Sequence, residues 1–147
     1  GCDIKIYEDS IFLKSKNKIK SLNFKTGPYP LFATDNMPML LAVLTLADGK
    51  SKIEETIFSN RFMAAPELCR MGADIKIKKN KATIVGQKKL FAADCISSDL
   101  RTTFAIILGA ISANGTTKIQ RIYHGLRGYF NIIGKLRNLG VKIKSLD

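Results

Sequence analysis

The sequence predicts a mixed α+β (α/β) fold assembled from repeated βαβαββ units. Two observations lead to this prediction. Segments in which apolar residues recur at helical spacing alternate along the chain with segments in which apolar and polar residues alternate. The same order of segments also occurs twice, with a period close to 66 residues.

The internal repeat is visible in residues of identical type at matching places. Four such pairs lie 64 to 68 positions apart: Asp35 and Asp99, Gly49 and Gly115, Arg61 and Arg127, and Gly72 and Gly140. The opening residues 1–6 also resemble residues 72–77, which indicates part of a third copy. We therefore expect a longer natural protein, in which residues 1–25 are closing strands of a preceding unit and residues 26–86 and 87–147 are two units of one truncated domain.

The first complete unit begins with a helix predicted over residues 36–47, because an apolar run follows the acid of Asp35. A turn at Asp48 and Gly49 separates this helix from an alternating strand over residues 52–56. The unit then closes with three further elements: a helix with Pro66 in its first turn and Gly72 at its C-terminal cap, and strands over residues 74–78 and 81–85.

The second unit repeats this order. It is predicted to contain a helix over residues 99–112, a strand over 117–121 and a helix over 128–138, with Gly140 just past its end. Four further strands are predicted by short alternating runs: residues 3–7, 11–14, 21–25 and 94–97.

The composition is that of a basic protein with few cysteines. The 147 residues carry a formal net charge of +12, much of it from lysines scattered at predicted strand ends. This charge suits nucleic acid, anionic lipid or phosphorylated substrates, although a compositional bias of the genome would also produce it. No apolar run approaches the roughly 18 residues of a membrane span. Three widely spaced cysteines favour neither disulfides nor a zinc site, and predict reduced thiols in a cytoplasmic protein.

Asp35 is the first candidate for chemistry, since it stands at the start of an apolar helix. Its segment, FATDNMPML (residues 32–40), follows Pro28 and Pro30, which stiffen the approach. A helix N-cap that stabilises by about 1 kcal/mol is the plain structural role for such an acid. A carboxylate that faces a substrate is the alternative, and the spacing leaves both roles open.

Arg127 is the second candidate, because Gly125 and Gly128 bracket it before a predicted helix. Glycines allow close backbone approach, and a guanidinium binds phosphate or carboxylate through two hydrogen bonds. The alternative is a surface arginine on a glycine turn. Arg61 is the repeat partner of this arginine.

Four other positions are expected to have structural roles. Asp99 and Arg101 are expected to pair at the start of a helix. The single histidine, His124, is expected to be packed or hydrogen-bonded, since no other ligand lies at metal spacing from it. Cys95 falls in an apolar strand pattern, which predicts a buried thiol. The residues by themselves therefore predict a repeated βαβαββ fold with an anion site.

Several strings of the chain closely resemble the C-terminal part of the UDP-N-acetylglucosamine enolpyruvyl transferases. The strings are ETIFSNRFM (55–63), PEL (66–68), RMGA (70–73), SDLR (98–101), RIYH (121–124) and RGY (127–129). The resemblance runs nearly end to end without large gaps. It implies a partial domain of a threefold βαβαββ arrangement, sometimes described as an inside-out α/β barrel.

The resemblance also implies an activity. These enzymes transfer the enolpyruvyl group of phosphoenolpyruvate to the 3′-hydroxyl of UDP-N-acetylglucosamine, the first committed step of peptidoglycan synthesis. They use no metal and no organic cofactor. The expected partners are therefore these two substrates, with no membrane.

The resemblance assigns roles to particular residues. Asp35 matches the acid of the Thr-Asp motif that contacts the sugar hydroxyl and is the proposed general base. Ile57 matches a position that contacts substrate, and Arg127 matches an arginine that binds phosphoenolpyruvate. The supporting positions are three: Arg61, Asp99 and Arg101.

Some positions depart from the family pattern. Ala33 replaces a proline, Asn36 and Met37 follow the acid where Met-Gln is common, and Leu126 stands where an acid commonly precedes the arginine. The cysteine loop that supplies a general acid, and is alkylated by fosfomycin, belongs to a part of these enzymes outside this sequence. The chain alone is therefore expected to be inactive.

Two alternatives come from other classes of protein. A basic nucleic-acid-binding module could also use βαβαββ units, but the scattered lysines and the lack of an aromatic–glycine RNA motif do not favour it. A structural fragment that self-associates through exposed sheet edges is the other alternative.

Overall fold

The computed structural model describes residues 2–15 and 18–145, and within these ranges it shows four small sheets and five helices. Residues 1, 16–17 and 146–147 of the predicted units lie outside the described residues, and Gly1 of the partial third copy is among them. Strands β1 (Cys2–Ile6) and β2 (Ile11–Ser15) form an antiparallel hairpin. Its apolar side chains are mostly exposed, with Ile6 at 78% and Ile11 at 69%.

A four-stranded sheet forms the centre of the first unit. Its strands are β3 (Asn23–Lys25), β4 (Lys50–Glu54), β5 (Asp74–Lys78) and β6 (Lys81–Val85), in the spatial order β3-β4-β6-β5. The β3 and β4 strands are parallel, whereas β6 is antiparallel to both of its neighbours. Along β4, Ser51 and Ile53 are buried and alternate with exposed lysines, as the period of two requires.

Two helices belong to the same unit. A 3₁₀ turn (Thr34–Asn36) leads into α1 (Met37–Leu44), and α2 (Ala64–Arg70) follows β4. Pro38 sits in the first turn of α1, where its missing N–H costs no helical bond.

The second unit supplies two short parallel pairs and three helices. Its elements are β7 (Leu90–Phe91), β8 (Asp94–Ile96), α3 (Leu100–Ser112), β9 (Ala113–Asn114), β10 (Lys118–Gln120), α4 (Tyr123–Leu126) and α5 (Ile132–Asn138). Strand β7 pairs with β9, and β8 pairs with β10. Helix α3 packs on both α1 and α2, so one apolar core joins the two units. Among the helices of residues 2–15 and 18–145, none is long and apolar enough to cross a membrane.

The internal repeat is confirmed by backbone conformation at its turns. Gly49 and Gly115 have φ of +99° and +101°, and Gly72 and Gly140 have φ of +91° and +88°. Side chains disfavour this left-handed region, which explains why glycine stands at both copies of each turn. The mixed α/β fold is likewise confirmed.

Several predicted boundaries are wrong. The helix predicted over 36–47 ends at Leu44, and the one predicted over 128–138 begins only at Ile132, after a break that separates it from the single-turn helix α4. Asn131 adopts a left-handed conformation (φ +49°) and caps α5, which explains this break. Residues 141–145, the last that the structure describes, form no strand, so the closing pair predicted for the second unit is not seen there.

A buried carboxylate at the end of β4 organises the loops around it. Glu55 is 2% exposed. Its Oε1 accepts hydrogen bonds from the N–H groups of Ile57 (2.8 Å) and Phe58 (3.0 Å), and its Oε2 accepts one from the Thr34 hydroxyl (2.8 Å). Burial raises the pKa of Glu55, but these hydrogen bonds outweigh burial and the net pKa is lowered. The carboxylate therefore ties the 3₁₀ turn to the loop after β4.

We expect Glu55→Gln to destabilise the protein by about 1–3 kcal/mol at neutral pH, since charge-assisted hydrogen bonds become neutral ones. The lowered pKa means that Glu55 stabilises the fold fully above about pH 4.5, the usual glutamate value, and loses this effect as pH falls through its folded-state pKa. The difference between the two proteins should therefore shrink in acid. Urea unfolding over a pH series measures both effects.

Glu54→Gln is the matched control, because Glu54 is the preceding residue and makes surface ion pairs with Lys25 and Lys81. It should lower stability less than Glu55→Gln does. Equal effects of the two substitutions would show that the buried carboxylate does not organise the loops.

Candidate active site between the two repeat units

Asp35 binds two arginines, one from each repeat unit. Its Oδ1 accepts a hydrogen bond from Arg101 Nε (2.6 Å) and lies 3.5 Å from Arg61 Nη2. The Asp35 side chain stays 62% exposed. It does not cap α1, whose N-cap residue is Asn36 and has no side-chain cap bond. The helix-capping role, one of the two that the sequence left open for Asp35, is therefore not observed, because both arginines bind the carboxylate and the N-terminal turn is 3₁₀.

The electrostatics of this contact keep Asp35 ionised. The hydrogen bond from Arg101 is the main cause that lowers the pKa of Asp35, burial opposes it, and the charges of both arginines lower it further. The same contact raises the pKa of Arg101. Both contacts use Oδ1, and Oδ2 has no hydrogen-bond partner in the part of the chain that the structure describes. Oδ2 is thus free to accept a hydrogen bond from a hydroxyl group, or its proton.

Arg61 is held from three sides. Besides its contact with Asp35, its Nε donates to the Thr34 hydroxyl (3.1 Å) and its guanidinium carbon lies 4.2 Å from the centre of the Phe58 ring. The Thr34 hydroxyl in turn donates to Glu55. A continuous set of contacts therefore runs from the buried Glu55 carboxylate to the exposed carboxylate of Asp35.

Asp99 is occupied by its own helix. Its Oδ1 accepts from the N–H groups of Arg101 (2.8 Å) and Thr102 (3.2 Å), and its Oδ2 accepts from the Thr102 hydroxyl (2.5 Å). Burial raises the pKa of Asp99, but these hydrogen bonds lower it overall. The expected Asp99–Arg101 side-chain pair is wrong, since the Arg101 guanidinium binds Asp35 instead. Arg101 follows Asp99 by two positions. The equivalent residue of the first unit, two positions after Asp35, is Met37, which is fully buried.

Ile57 lies in the loop that Glu55 holds, and its side chain is 41% exposed. A shallow open depression lies next to this loop. It is lined by the four residues that follow Ile57 and by one arginine of the second unit: Phe58, Ser59, Asn60, Arg61 and Arg101. Two arginines and an exposed ring suit an anionic ligand with an apolar part.

Arg127 lies apart from this cluster, at the C-terminal end of α4. It is exposed, and its guanidinium group makes no hydrogen bond or ion pair with any residue of the described ranges. Its charge is therefore available to a ligand. The structure does not bring it into contact with Asp35.

The remaining predicted positions are structural. Cys95 is fully buried, and burial raises its pKa to about 11, so the prediction of a buried thiol is confirmed. His124 has its ring 4.3 Å from that of Tyr123. Within residues 2–15 and 18–145, no group of three or more His, Cys, Asp or Glu side chains could hold a metal ion.

Sequence reasoning missed Glu55 as a site residue. A signal for it existed, because Glu55 occupies the inward position of the alternating strand after Ser51 and Ile53. An acid on the apolar face of a strand indicates a buried carboxylate with several hydrogen-bond donors around it.

Relatives in three genera share much of this sequence. UDP-N-acetylglucosamine 1-carboxyvinyltransferases from Campylobacter jejuni (strain RM1221) and Acinetobacter baylyi are 48% and 47% identical over the whole chain, and that of Rickettsia bellii is 41% identical over 98% of it. The chain spans 34–35% of the length of these curated relatives. The resemblance to the UDP-N-acetylglucosamine enolpyruvyl transferases is confirmed.

Solved structures of similar fold include the enolpyruvyl transferase NikO from Streptomyces tendae, with a TM-score of 0.89 at 24% identity. This match covers 98% of the chain and 34% of that protein. EPSP synthase from Acinetobacter baumannii matches with a TM-score of 0.68 at 18% identity, over 99% of the chain and 35% of that protein. These likenesses establish the fold.

A family model also covers almost the entire sequence. The model of EPSP synthase (3-phosphoshikimate 1-carboxyvinyltransferase) matches residues 1–136. Together with the fold and the relatives, this match identifies the chain as a member of the EPSP synthase family.

Proposed function

We propose that this chain is the C-terminal part of an enzyme that transfers the enolpyruvyl group of phosphoenolpyruvate to the 3′-hydroxyl of UDP-N-acetylglucosamine. The identity of 41–48% with carboxyvinyltransferases of that substrate, over nearly the whole chain, carries this proposal. The enzyme would act in the cytoplasm, at the first committed step of peptidoglycan synthesis.

Asp35 would accept the proton of the sugar hydroxyl. Its Oδ2 is free, and its exposed side chain can be reached by a ligand. The two arginines keep the carboxylate in its basic form near neutral pH, but they also make it a weaker base. A substrate that draws Arg101 away from Asp35 would raise the basicity of the carboxylate at the moment when it is needed.

The arginines would hold the anionic groups of the substrates. The guanidinium group of Arg127 has no partner within the described ranges, and a guanidinium matches the geometry of both phosphate and carboxylate. Phosphoenolpyruvate carries both groups on a small frame, so a positioned cation would orient it and offset its developing charge. Ile57 would form part of the wall beside the sugar, with Arg61, Asp99 and Arg101 in support.

We expect Asp35→Asn in the full-length enzyme to lower kcat by about 10²- to 10⁴-fold, the usual contribution of a general base. The amide keeps the shape of the side chain but cannot accept the proton. Phosphate release measures the rate, and circular dichroism verifies that the fold is unchanged. Asp48→Asn is the control, since Asp48 is a surface acid 3.7 Å from Lys18. Unchanged turnover in Asp35→Asn would remove the base role.

We expect the isolated chain of residues 1–147 to release no phosphate from the two substrates above the uncatalysed background. It spans only about a third of the length of its relatives, and the resemblance assigns the general acid to a loop outside this sequence. A coupled phosphate assay on the purified chain tests this expectation. Turnover near 1 s⁻¹, at the lower end of ordinary enzyme rates, would contradict it.

We also expect the isolated chain to self-associate. The β1–β2 hairpin exposes both strand edges and a set of large apolar side chains: Ile4, Ile6, Ile11, Phe12 and Leu13. Such edges pair with other strands when nothing covers them. Light scattering coupled to size-exclusion chromatography should show species larger than 16.3 kDa, the mass of one chain. A monomer at all concentrations would contradict this expectation.

A further inference from the structure

The turn that carries Arg127 is docked on the first turns of α3. Gly125 is buried against Thr103, and a Cβ at Gly125 would overlap Thr103 Cγ2. Thr103 cannot move aside easily, because it is 1% exposed and its hydroxyl contacts the Asp99 carbonyl oxygen (2.7 Å) and the Ser97 hydroxyl. Gly125, two positions before Arg127, therefore packs against a part of α3 whose side chain is held in place.

A second contact lies immediately after the arginine. A Cβ at Gly128 would come within 2.5 Å of Leu100 Cδ1, so the backbone there lies close to the Leu100 side chain. Together with Gly125, this contact sets how far the turn stands from α3.

A third contact between the turn and α3 is an aromatic stack. The rings of Phe104 and Tyr129 have centroids 4.8 Å apart and an interplanar angle of 29°. Phe104 follows Arg101 by three positions on α3, so the two side chains lie on neighbouring parts of one helix face. Tyr129 follows Arg127 by two positions.

The environment of Tyr129 shows that the stack lies close to the candidate site. Burial raises the pKa of Tyr129, the charge of Arg101 lowers it, and the charges of Asp35 and Asp99 raise it, with a net increase. The phenol group therefore lies within electrostatic reach of these three side chains, although the structure shows no hydrogen bond between it and them.

We propose that the Phe104–Tyr129 stack positions Arg127 relative to Arg101, so that both guanidinium groups can meet the same anionic substrate. Phe104 and Tyr129 act here through the arginines and are positioning residues. This inference rests on the proposed function, in which Arg127 binds the phosphate or carboxylate group of phosphoenolpyruvate. To that function the inference adds the aromatic stack that holds Arg127 in place.

To the two glycine contacts the stack adds a side-chain contact just after Arg127, between the short helices α4 and α5. Helix α4 is a single turn that ends at Leu126, and Asn131 turns the backbone away in a left-handed conformation before α5 begins. Arg127 thus lies between two short helices, with Tyr129 as the ring that reaches α3. Loss of the stack would leave the Arg127 guanidinium free to sample more orientations, which weakens binding without removing any substrate contact.

The test uses Phe104→Leu and Tyr129→Leu in the full-length enzyme, since leucine keeps an apolar side chain but removes the stack. Each variant should raise the KM for phosphoenolpyruvate by roughly 3- to 10-fold, the size of an aromatic pair's contribution. The KM for UDP-N-acetylglucosamine should change less than twofold. The double variant should be no worse than the worse single variant, because the two substitutions remove the same interaction.

Two control variants separate the effect of the stack from the effects of the phenol hydroxyl and of a neighbouring ring. Tyr129→Phe keeps the ring and should behave like the unmodified enzyme. If it matches Tyr129→Leu, the hydroxyl group and not the stack carries the effect, and the proposal is wrong. Phe130→Leu changes the adjacent ring, which is 85% exposed, and should leave both KM values unchanged.

A further variant distinguishes failure of this inference from failure of the proposed function. Arg127→Ala should raise the KM for phosphoenolpyruvate more than either leucine variant. If Arg127→Ala raises it and the leucine variants do not, the positioning role is wrong and the proposed function stands. If Arg127→Ala has no effect, the binding role of Arg127 fails, and the positioning role fails with it. Thermal unfolding of each variant verifies that the fold is retained.

Discussion

Two mostly apolar helices, α1 and α3, come from different repeat units, and each buries its apolar residues only by packing in the core that both units share. Met37, Leu41 and Ile106 are fully buried in that core. Each such side chain contributes about 1.5–3 kcal/mol when it leaves water. With eight residues, α1 is too short to be stable in isolation, so it depends on this packing. Because the helices pack together, Asp35 just before α1 and Arg101 in the first turn of α3 meet across the unit boundary.

The local charge at this boundary has a clear pattern. One exposed carboxylate stands between two arginines, a third arginine lies free on the neighbouring turn, and the other nearby acid, Asp99, is used by the backbone of its own helix. Counted together, the three arginines and the two carboxylates of Asp35 and Asp99 leave one excess positive charge, which does not depend on the lysines spread over the rest of the surface. An anionic ligand would meet fixed cations there, because Arg61 is held by Thr34 and Phe58 before any ligand arrives.

The sequence predicted the elements whose signals are local. Strands β5 and β6 have the predicted bounds, and α3 begins directly after the predicted acid, since alternation and an N-cap are properties of a few adjacent residues. The partners of Asp35 were not predictable in this way. Arg101 lies 66 positions away, and only the packing of the two units decides that it binds Asp35 and not Asp99. The break between α4 and α5 was missed for a related reason, since a left-handed Asn131 is an exception among non-glycine residues.

Although the unit is repeated, the contact between an acid and an arginine of neighbouring units occurs once among the described residues. The two units are joined head to tail, so their contact has a direction: the acid of the first unit meets the arginine of the second. The reciprocal pair does not exist, because the position of Arg101 holds the buried Met37 in the first unit and Asp99 faces its own helix. The arginine–carboxylate cluster thus belongs to the junction: the first unit alone would keep Asp35 and Arg61 but lose Arg101, and the second alone would keep only Arg101.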